Sequence, residues 1–404
     1  MTDRHMARNV ALFPWFKFGQ HLLFWQAVWF LIFQDALSGQ EAILLYVLRE
    51  FTTTALEVPT GVLSDRLGRK RTLVLSVLAV LSGAILFCTQ PVFWVFALAQ
   101  ILMGAGEALN SGTDDALFYQ SLVALGRGDE IEAQQLRLWR AGFTGLAVSA
   151  VVGGVFALVG AQLVFAATAA ASACILPLAL TFREPPHQNG GLGKITARRQ
   201  LASLRTALQQ PALRWFFVIA LMMYAFGHVP FVFGQPFILE ALSGAGLSAE
   251  APLASGAVTA TMMAVSLGTS HLVPWMRARM GVTSLLLAAF GLQIWLIAML
   301  GLANSVLVIG VLFLRMVPSS LSGPLLIART QPLLQDDTRA TYLSIQSLCG
   351  RLLLAGALWM AAFGTSNTEA LSYPELQRIL WAFAAVGLVM ILGLAMTARK
   401  LPRT

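Results

Sequence analysis

The stretch GVLSDRLGRKRT, residues 61–72, lies between two long apolar segments at residues 42–63 and 73–90. It places one aspartate, one lysine and three arginines close together in a chain that is only 11% charged and has a mean hydropathy of +0.73. Each flanking segment approaches or reaches the length of about 20 residues that crosses a bilayer. A short basic connection between two such segments is typical of a cytoplasmic loop in a membrane protein.

Apolar segments of spanning length also fill the rest of the chain, and about twelve can be counted. Their approximate cores are residues 10–33, 42–63, 73–90, 92–118, 134–158, 162–182, 212–238, 252–275, 282–302, 304–328, 340–363 and 377–397. A hydrophobic fraction of 57% excludes a water-soluble fold. The predicted fold class is therefore an all-α integral membrane protein of twelve transmembrane helices in two six-helix bundles.

The net charge of +8 is explained by topology, because lysine and arginine occur almost wholly in alternate loops. The loops between them carry acids such as Asp35, Glu41 and Glu250. The positive-inside rule then places both termini and all basic loops in the cytoplasm. The basic excess does not indicate a nucleic-acid partner.

The midpoint of the chain is the one long connection, where REPPHQNGGLGK gives way to a basic stretch ending at Gln210. Leucines and isoleucine at helical spacing between arginines predict an amphipathic helix there, lying on membrane lipids. The predicted divisions are a first bundle at 1–182, a cytoplasmic linker at 183–210 and a second bundle at 211–404. Weak similarity between residues 111–122 and 322–333 favours an internal duplication.

With these features in place, GVLSDRLGRKRT resembles the G-x-x-x-D-R-x-G-R-K/R signature of the major facilitator superfamily. The matching residues are Gly61, Asp65, Arg66, Gly68, Arg69, Lys70 and Arg71. The resemblance implies that this loop is a gate, which latches the cytoplasmic ends of the two halves in one state of alternating access. It also implies that Asp114 or Asp115 joins Asp65 and Arg69 in that gate, and Asp336 and Asp337 are further candidate partners.

A narrower resemblance is carried by LEVPTGVLSDRLGRKRT and LNSGTDDALFYQSL, which are similar to a bacterial branch of drug and metabolite transporters. That branch implies a location in the bacterial cytoplasmic (inner) membrane. Two motifs depart from related exporters: Gln100 stands where many relatives carry arginine, and Ser149 with Ala150 replaces a Gly-Pro pair in the fifth span.

Ionisable side chains at membrane depth are costly, so each one is a candidate functional residue. Helical spacing places acids on one stripe of the second span and on another of the fourth. The proton-coupling candidates are Glu50, Glu57 and Glu107. Glu57 has an alternative role in bracing the gate loop, and Asp114 and Asp115 serve either the gate or the substrate.

The candidate substrate-binding residues are bases, aromatic side chains and amides at membrane depth. They are Lys17, His21, Tyr224, His228, Gln235, Arg315 and Arg351. Pro230 and Pro236 predict a break in the seventh span, where freed backbone groups line a cavity. For Arg351 and the histidines, a structural hydrogen-bonding role is the alternative.

The chain lacks a P-loop, a G-x-S-x-G elbow and an H-E-x-x-H pair, so we expect no enzyme, no cofactor and no metal. The first hypothesis is a proton-coupled exporter of small amphipathic molecules such as drugs, siderophores or metabolites. The alternative is a proton-coupled importer or exchanger of a small organic or inorganic anion. A non-transporting receptor or assembly factor is a third hypothesis, and a monomer suffices for transport.

Overall fold

A computed structural model describes residues 2–185, 209–330, 333–334, 336–365 and 371–398. Within these residues the secondary structure is helices and turns, with no strand, so the predicted all-α fold class is confirmed. The predicted linker helix lies outside the described residues. The side chains of Asp65, Asp336 and Asp337 also lie outside the described part of the molecule.

The first of two compact units contains residues 2–185 together with residues 249–260. Its helices are α1 (Thr2–Gln20), α2 (Trp29–Ala36), α3 (Gly39–Leu67), α4 (Arg69–Phe87), α5 (Phe93–Asn110), α6 (Thr113–Ala124), α7 (Ile131–Val159) and α8 (Ala161–Thr181). Its core includes Phe13, which stacks on Phe182 with ring centroids 4.6 Å apart. Most of residues 249–260 form the first part of a long helix, Ala251–Met280, whose remainder lies in the second unit.

The second unit contains the described residues of 209–248, 261–365 and 371–398. Its helices are α9 (Pro211–Ser243), the larger part of α10 (Ala251–Met280), α11 (Val282–Leu302), α12 (Val306–Ile309), α13 (Val317–Thr330), α14 (Asp336–Ala362) and α15 (Tyr373–Ala398). Long-range bonds fix this unit, for example from Trp215 Nε1 to the Leu394 carbonyl at 3.0 Å. The predicted domain boundaries stay a prediction.

Ten helical segments of the described chain are long and apolar enough to cross a membrane. The predicted first and second spans fall outside this set. Helices α1 and α3 carry several charged side chains, and α2 has only eight residues. Lys17 lies in α1, and Arg49, Glu50 and Glu57 lie in α3. Charged side chains at membrane depth are costly, so a structural or functional role is to be sought for those of the first and second spans.

The first span is broken, so the predicted continuous segment at 10–33 is wrong in this detail. Helix α1 ends at Gln20 and α2 begins at Trp29. Freed backbone groups in the break are bound by hydroxyl side chains: Ser149 Oγ donates to the His21 carbonyl at 3.1 Å, and Phe24 N–H donates to Thr168 Oγ1 at 3.1 Å. Irregular backbone is tolerated at this depth because neighbouring helices supply the missing partners.

Two further spans are interrupted where the sequence predicts continuity. Gly112, with φ +70°, separates α5 from α6 and places Asp114 in the first turn of α6. Arg315 lies between a 3₁₀ segment, Gly310–Leu314, and α13. By contrast, α9 runs without a break through Pro230 and Pro236, so the break predicted there is wrong. A proline removes a single backbone donor, and a transmembrane helix can continue past it.

Candidate functional site

The gate loop turns sharply at Gly68, which ends α3 and precedes α4 with φ +91°. The backbone N–H of Lys70 donates to Glu184 Oε1 at 2.7 Å. A Cβ at Gly68 would lie 2.5 Å from the same oxygen, so both the left-handed backbone and the close carboxylate require glycine. Glu184 therefore caps the first turn of α4, where a carboxylate is favoured by the helix dipole.

The arginines of the loop do different things. Arg69 Nη1 donates to the Ala116 carbonyl at 3.0 Å, which ties the loop to α6. Arg66 and Arg71 are exposed. A Cβ at exposed Gly61 would meet no described atom within 4 Å, so packing does not require glycine at this position.

Sequence reasoning missed two residues that hold this end of the first unit. One is Glu184, and the other is Asn9, which is 1% exposed. Asn9 Nδ2 donates to the Arg183 carbonyl at 2.8 Å, and Asn9 Oδ1 accepts from Arg183 N–H at 3.1 Å. Both connect residues more than 100 positions apart, so no local pattern could have identified them.

The buried acid of α6 is paired with the first span rather than with Arg69. Lys17 Nζ forms an ion pair with Asp114 Oδ2, and their side chains are 16% and 3% exposed. Asn110 Nδ2 donates to the same oxygen at 3.0 Å. The expected link between Asp114 and the gate arginine is absent among the described contacts, because Gly112 turns α6 so that Asp114 meets α1.

A cavity of about 310 Å³ opens beside this pair. Its lining residues combine charged and aromatic side chains from α1, α6 and α7: Lys17, His21, Asp115, Leu138, Trp139, Gly142, Phe143 and Leu146. A Cβ at Gly142 would lie 3.1 Å from His21 Cε1, so this glycine leaves room for the imidazole. The ring Nδ1 of His21 lies 2.8 Å from the Lys17 carbonyl. The structure thus brings together two predicted substrate residues, Lys17 and His21, with one predicted gate residue, Asp115.

A second acid–base pair lies between α3 and α5. Arg49 Nη2 donates to Glu107 Oε2 at 3.0 Å, and the guanidinium carbon lies 5.3 Å from the Trp25 ring centroid. Gly104 permits this packing, since a Cβ there would lie 2.8 Å from the Arg49 carbonyl oxygen. Glu107, one of the proton-coupling candidates, therefore has a basic partner on a neighbouring helix.

The other two proton-coupling candidates differ in surroundings. Glu50 is 5% exposed and is more deeply buried than Glu57. Glu57 is half-buried and accepts a hydrogen bond of 3.4 Å from Ser111 Oγ on the stripe of α5. This contact is compatible with the predicted bracing role of Glu57.

In the second unit, the predicted substrate residues form a row along α9. The Tyr224 and His228 rings lie 4.3 Å apart, and His228 and Phe231 lie 6.3 Å apart. The guanidinium carbon of Arg351 lies 5.9 Å from the Tyr224 ring, and that of Arg315 lies 5.0 Å from the Phe231 ring. We call Arg351, Tyr224, His228, Phe231 and Arg315 the arginine–aromatic row. Gln235 is buried one turn beyond Phe231.

Comparison with solved structures shows which fold these helices form. The crystal structure of the nucleoside transporter NupG is 13% identical, with 96% of this chain and 98% of that chain covered and a TM-score of 0.75. The peptide transporter POT in complex with sulfate is 13% identical over 98% and 94% of the two chains, with a TM-score of 0.71. A bacterial homologue of the human lysosomal transporter Spinster is 16% identical over 98% and 97%, with a TM-score of 0.67.

These identities establish a shared fold and leave the substrate open. No curated protein matches the sequence significantly. The profile of the Major Facilitator Superfamily matches residues 18–360, which is most of the chain. Together with the helical architecture and the gate loop, this match shows that the chain is a multi-pass membrane transporter belonging to the Major Facilitator Superfamily.

Proposed function

We propose that this transporter is a proton-coupled exporter of small amphipathic molecules in the bacterial cytoplasmic membrane. The cavity beside Lys17 and Asp114 carries the proposal. Its wall joins carboxylate, ammonium and imidazole groups to the rings of Trp139 and Phe143, so both ends of an amphipathic molecule find a matching surface. A volume of about 310 Å³ lies at the lower end of small-molecule pockets.

Coupling follows from competition for carboxylates, of which Asp115 on the cavity wall meets the substrate and Glu107, in its pair with Arg49, carries the proton. Asp115 is exposed on the cavity wall, and Asp114 behind it is already bound to the ammonium of Lys17. A proton or a positively charged substrate group can occupy the carboxylate on the wall, but not both at once. Exchange of one for the other moves protons inward as substrate moves outward, driven by about 2.3 kcal/mol per charge per 100 mV.

Uptake or exchange of a small anion is the second candidate, and the arginine–aromatic row favours it. Guanidinium groups bind carboxylate and phosphate in bidentate geometry, and two of them flank an aromatic surface here. Protonation of Asp114 would release Lys17 for an anion, so proton and anion would bind together. If substrate and proton compete for one group, the transporter exchanges substrate for protons. If they bind together, it takes up substrate with protons.

Inside-out vesicles with a proton gradient distinguish the two candidates. Lipophilic cations, siderophores and organic anions are added in turn while the internal pH is followed with a fluorescent dye. Export predicts that amphipathic cations discharge the gradient and that Asp115→Asn, a change on the exposed cavity wall, abolishes the response. A response confined to anions and abolished in Arg315→Gln would replace the proposal by anion transport.

A further inference from the structure

Arg49 and two side chains beside its pair with Glu107, Gln100 and Trp25, carry buried polar atoms that have no hydrogen-bond partner among the described residues. Gln100 is 0% exposed, and neither its amide nitrogen nor its amide oxygen has a partner among the described residues. The same holds for Arg49 Nε and for Trp25 Nε1. A buried polar group that is left without a hydrogen bond destabilises the fold. A cluster of them is a site that binds something polar.

Packing contacts place the three side chains in one neighbourhood. Gln100 precedes Gly104 by four residues on α5, a rise of about 6 Å along the helix. Gly104 packs against the backbone of Arg49, and the Arg49 guanidinium lies over the Trp25 ring. Gln100 and Glu107 are seven residues apart on the same stripe of α5, so Arg49 lies between their levels.

Aromatic rings line the side of this neighbourhood away from Glu107. Phe96 lies one turn before Gln100, and its ring is 5.2 Å from that of Phe33. Phe33 lies 6.3 Å from Trp25 and 5.5 Å from Phe87. The polar atoms are thus enclosed by apolar side chains and depend on an internal partner.

The chemistry of these atoms selects the partner. Arg49 Nε, Trp25 Nε1 and the Gln100 amide nitrogen need an acceptor, whereas the Gln100 amide oxygen needs a donor. An anion could not donate, and Glu50 and Glu107 beside Arg49 disfavour additional negative charge. Water does both and is the usual ligand of buried polar groups that the protein leaves unmatched. We infer that Gln100, Arg49 and Trp25 form a binding site for internal water.

This water site has a consequence that rests on the proposed proton coupling. When Glu107 takes up a proton, its bond with Arg49 weakens and the guanidinium needs another partner. Internal water at Nε supplies one, so the pair can open without leaving a bare buried cation. Gln100 is then a positioning residue for the proton step.

Hydroxyl-radical footprinting with short X-ray pulses tests the site without measuring transport. Radicals form from bound water and oxidise the side chains next to it, including buried ones. The full chain in lipid nanodiscs is exposed, and oxidation at Trp25 is measured by mass spectrometry. Phe13 and Phe182, which are buried and stacked on each other in the core of the first unit, are the reference rings, and Trp139 on the cavity wall is the positive control.

We expect Trp25 to be oxidised at least as fast as Trp139, while Phe13 and Phe182 stay protected. In Gln100→Leu, oxidation at Trp25 should fall about tenfold and the melting temperature should drop. Gln293→Leu is the control, because Gln293 is a buried amide of α11 whose nitrogen donates to the Met223 carbonyl at 3.1 Å and only whose oxygen lacks a partner among the described residues. That variant should leave Trp25 oxidation unchanged.

Protection of Trp25 in the unmodified chain would overturn the water site, whatever the variants do. So would a higher melting temperature in Gln100→Leu, because leucine stabilises a place where the amide has no partner at all. If Trp25 is oxidised as expected but Glu107→Gln still transports protons, the water site stands and the proposed coupling fails.

Discussion

The two units treat charge at membrane depth in different ways. In the first unit, bases meet acids directly: Lys17 pairs with Asp114, and Arg49 pairs with Glu107. In the second unit, Arg315 and Arg351 lie over aromatic rings of α9. A carboxylate changes its charge when it binds a proton, but a guanidinium keeps its charge at any physiological pH.

This difference suggests a division of labour. Ion pairs that contain an acid respond to protons, because protonation removes the attraction between the partners. A guanidinium keeps its charge instead, and it binds carboxylate and phosphate groups in bidentate geometry. We propose that the acids of the first unit respond to protons and that the arginines of the second unit would meet an anionic substrate group.

The largest effect is expected from breaking the Lys17–Asp114 pair. Asp114→Asn leaves a mostly buried ammonium without its counter-ion, which costs about 3–5 kcal/mol in comparable pairs. We expect a strong loss of folded protein and of thermal stability, measured by fluorescence-detected size-exclusion chromatography across temperature. The double variant Lys17→Met with Asp114→Leu should recover much of the stability. Equal instability of the double variant would contradict an ion-pair origin.

A smaller effect is expected at the contact that positions Arg49. Gly104→Ala introduces a Cβ 2.8 Å from the Arg49 carbonyl oxygen, which forces α3 and α5 apart. Overpacking of this kind costs about 1–3 kcal/mol. Gly356→Ala is the matched control, because a Cβ at Gly356 in α14 meets no described atom within 4 Å. The control should keep or gain stability, and an equal loss in both variants would show that the α3–α5 contact is not special.

In the arginine–aromatic row, Arg315→Gln should change binding more than stability. The lost cation–π contact contributes about 0.5–1 kcal/mol to folding. A lost charge-assisted bond to a substrate anion costs about 1.5–3 kcal/mol, which is at least a tenfold loss of affinity. Thermal-shift titration with organic anions measures both quantities on one sample. A stability loss without an affinity change would make Arg315 structural.

The smallest effect is expected from an exposed ion pair in the first unit. Arg127 binds Glu130 through two bonds of 2.6 Å and holds the pKa of that carboxyl at about 2. A lowered pKa stabilises the fold above the ordinary pKa of glutamate and loses that contribution as the pH falls toward 2. Arg127→Ala should therefore leave the melting temperature nearly unchanged and without pH dependence between about pH 6 and 8. A loss as large as that of Asp114→Asn would remove the contrast between buried and exposed pairs.

The fold could be predicted from sequence because spanning length and the GVLSDRLGRKRT loop are local signals. Helical spacing in α3 and α5 drew attention to Glu57 and Glu107, which contact Ser111 and Arg49 in the structure. The predicted stripe of the fourth span does not continue to Asp114, because the chain turns at Gly112. The partners could not be predicted, since Lys17 and Asp114 are 97 residues apart and only tertiary packing brings them together. The break at residues 21–28 was missed because the mean hydropathy of a segment does not reveal hydrogen bonds from distant side chains such as Ser149 and Thr168. Mean hydropathy gives no sign of the turn at Gly112 either.

Gln100 shows the limit of motif comparison. In the sequence it was a departure from an arginine found in many relatives, and this weakened the similarity to proton-coupled exporters. In the structure, the guanidinium of Arg49, on the neighbouring helix α3, pairs with Glu107 of α5, two turns from Gln100. A motif defined within one helix could not reveal a positive charge that a neighbouring helix supplies.

The division of labour between the units is tested most directly by proton movement in inside-out vesicles containing Glu107→Gln or Arg315→Gln. With a panel of amphipathic molecules, the unmodified protein should discharge the gradient. Glu107→Gln should abolish the proton signal while thermal-shift titration still detects substrate binding. Arg315→Gln should keep proton coupling with amphipathic cations and raise only the concentration of organic anion required, at least tenfold. A proton signal that survives in Glu107→Gln, or that disappears in Arg315→Gln at saturating substrate, would contradict the account.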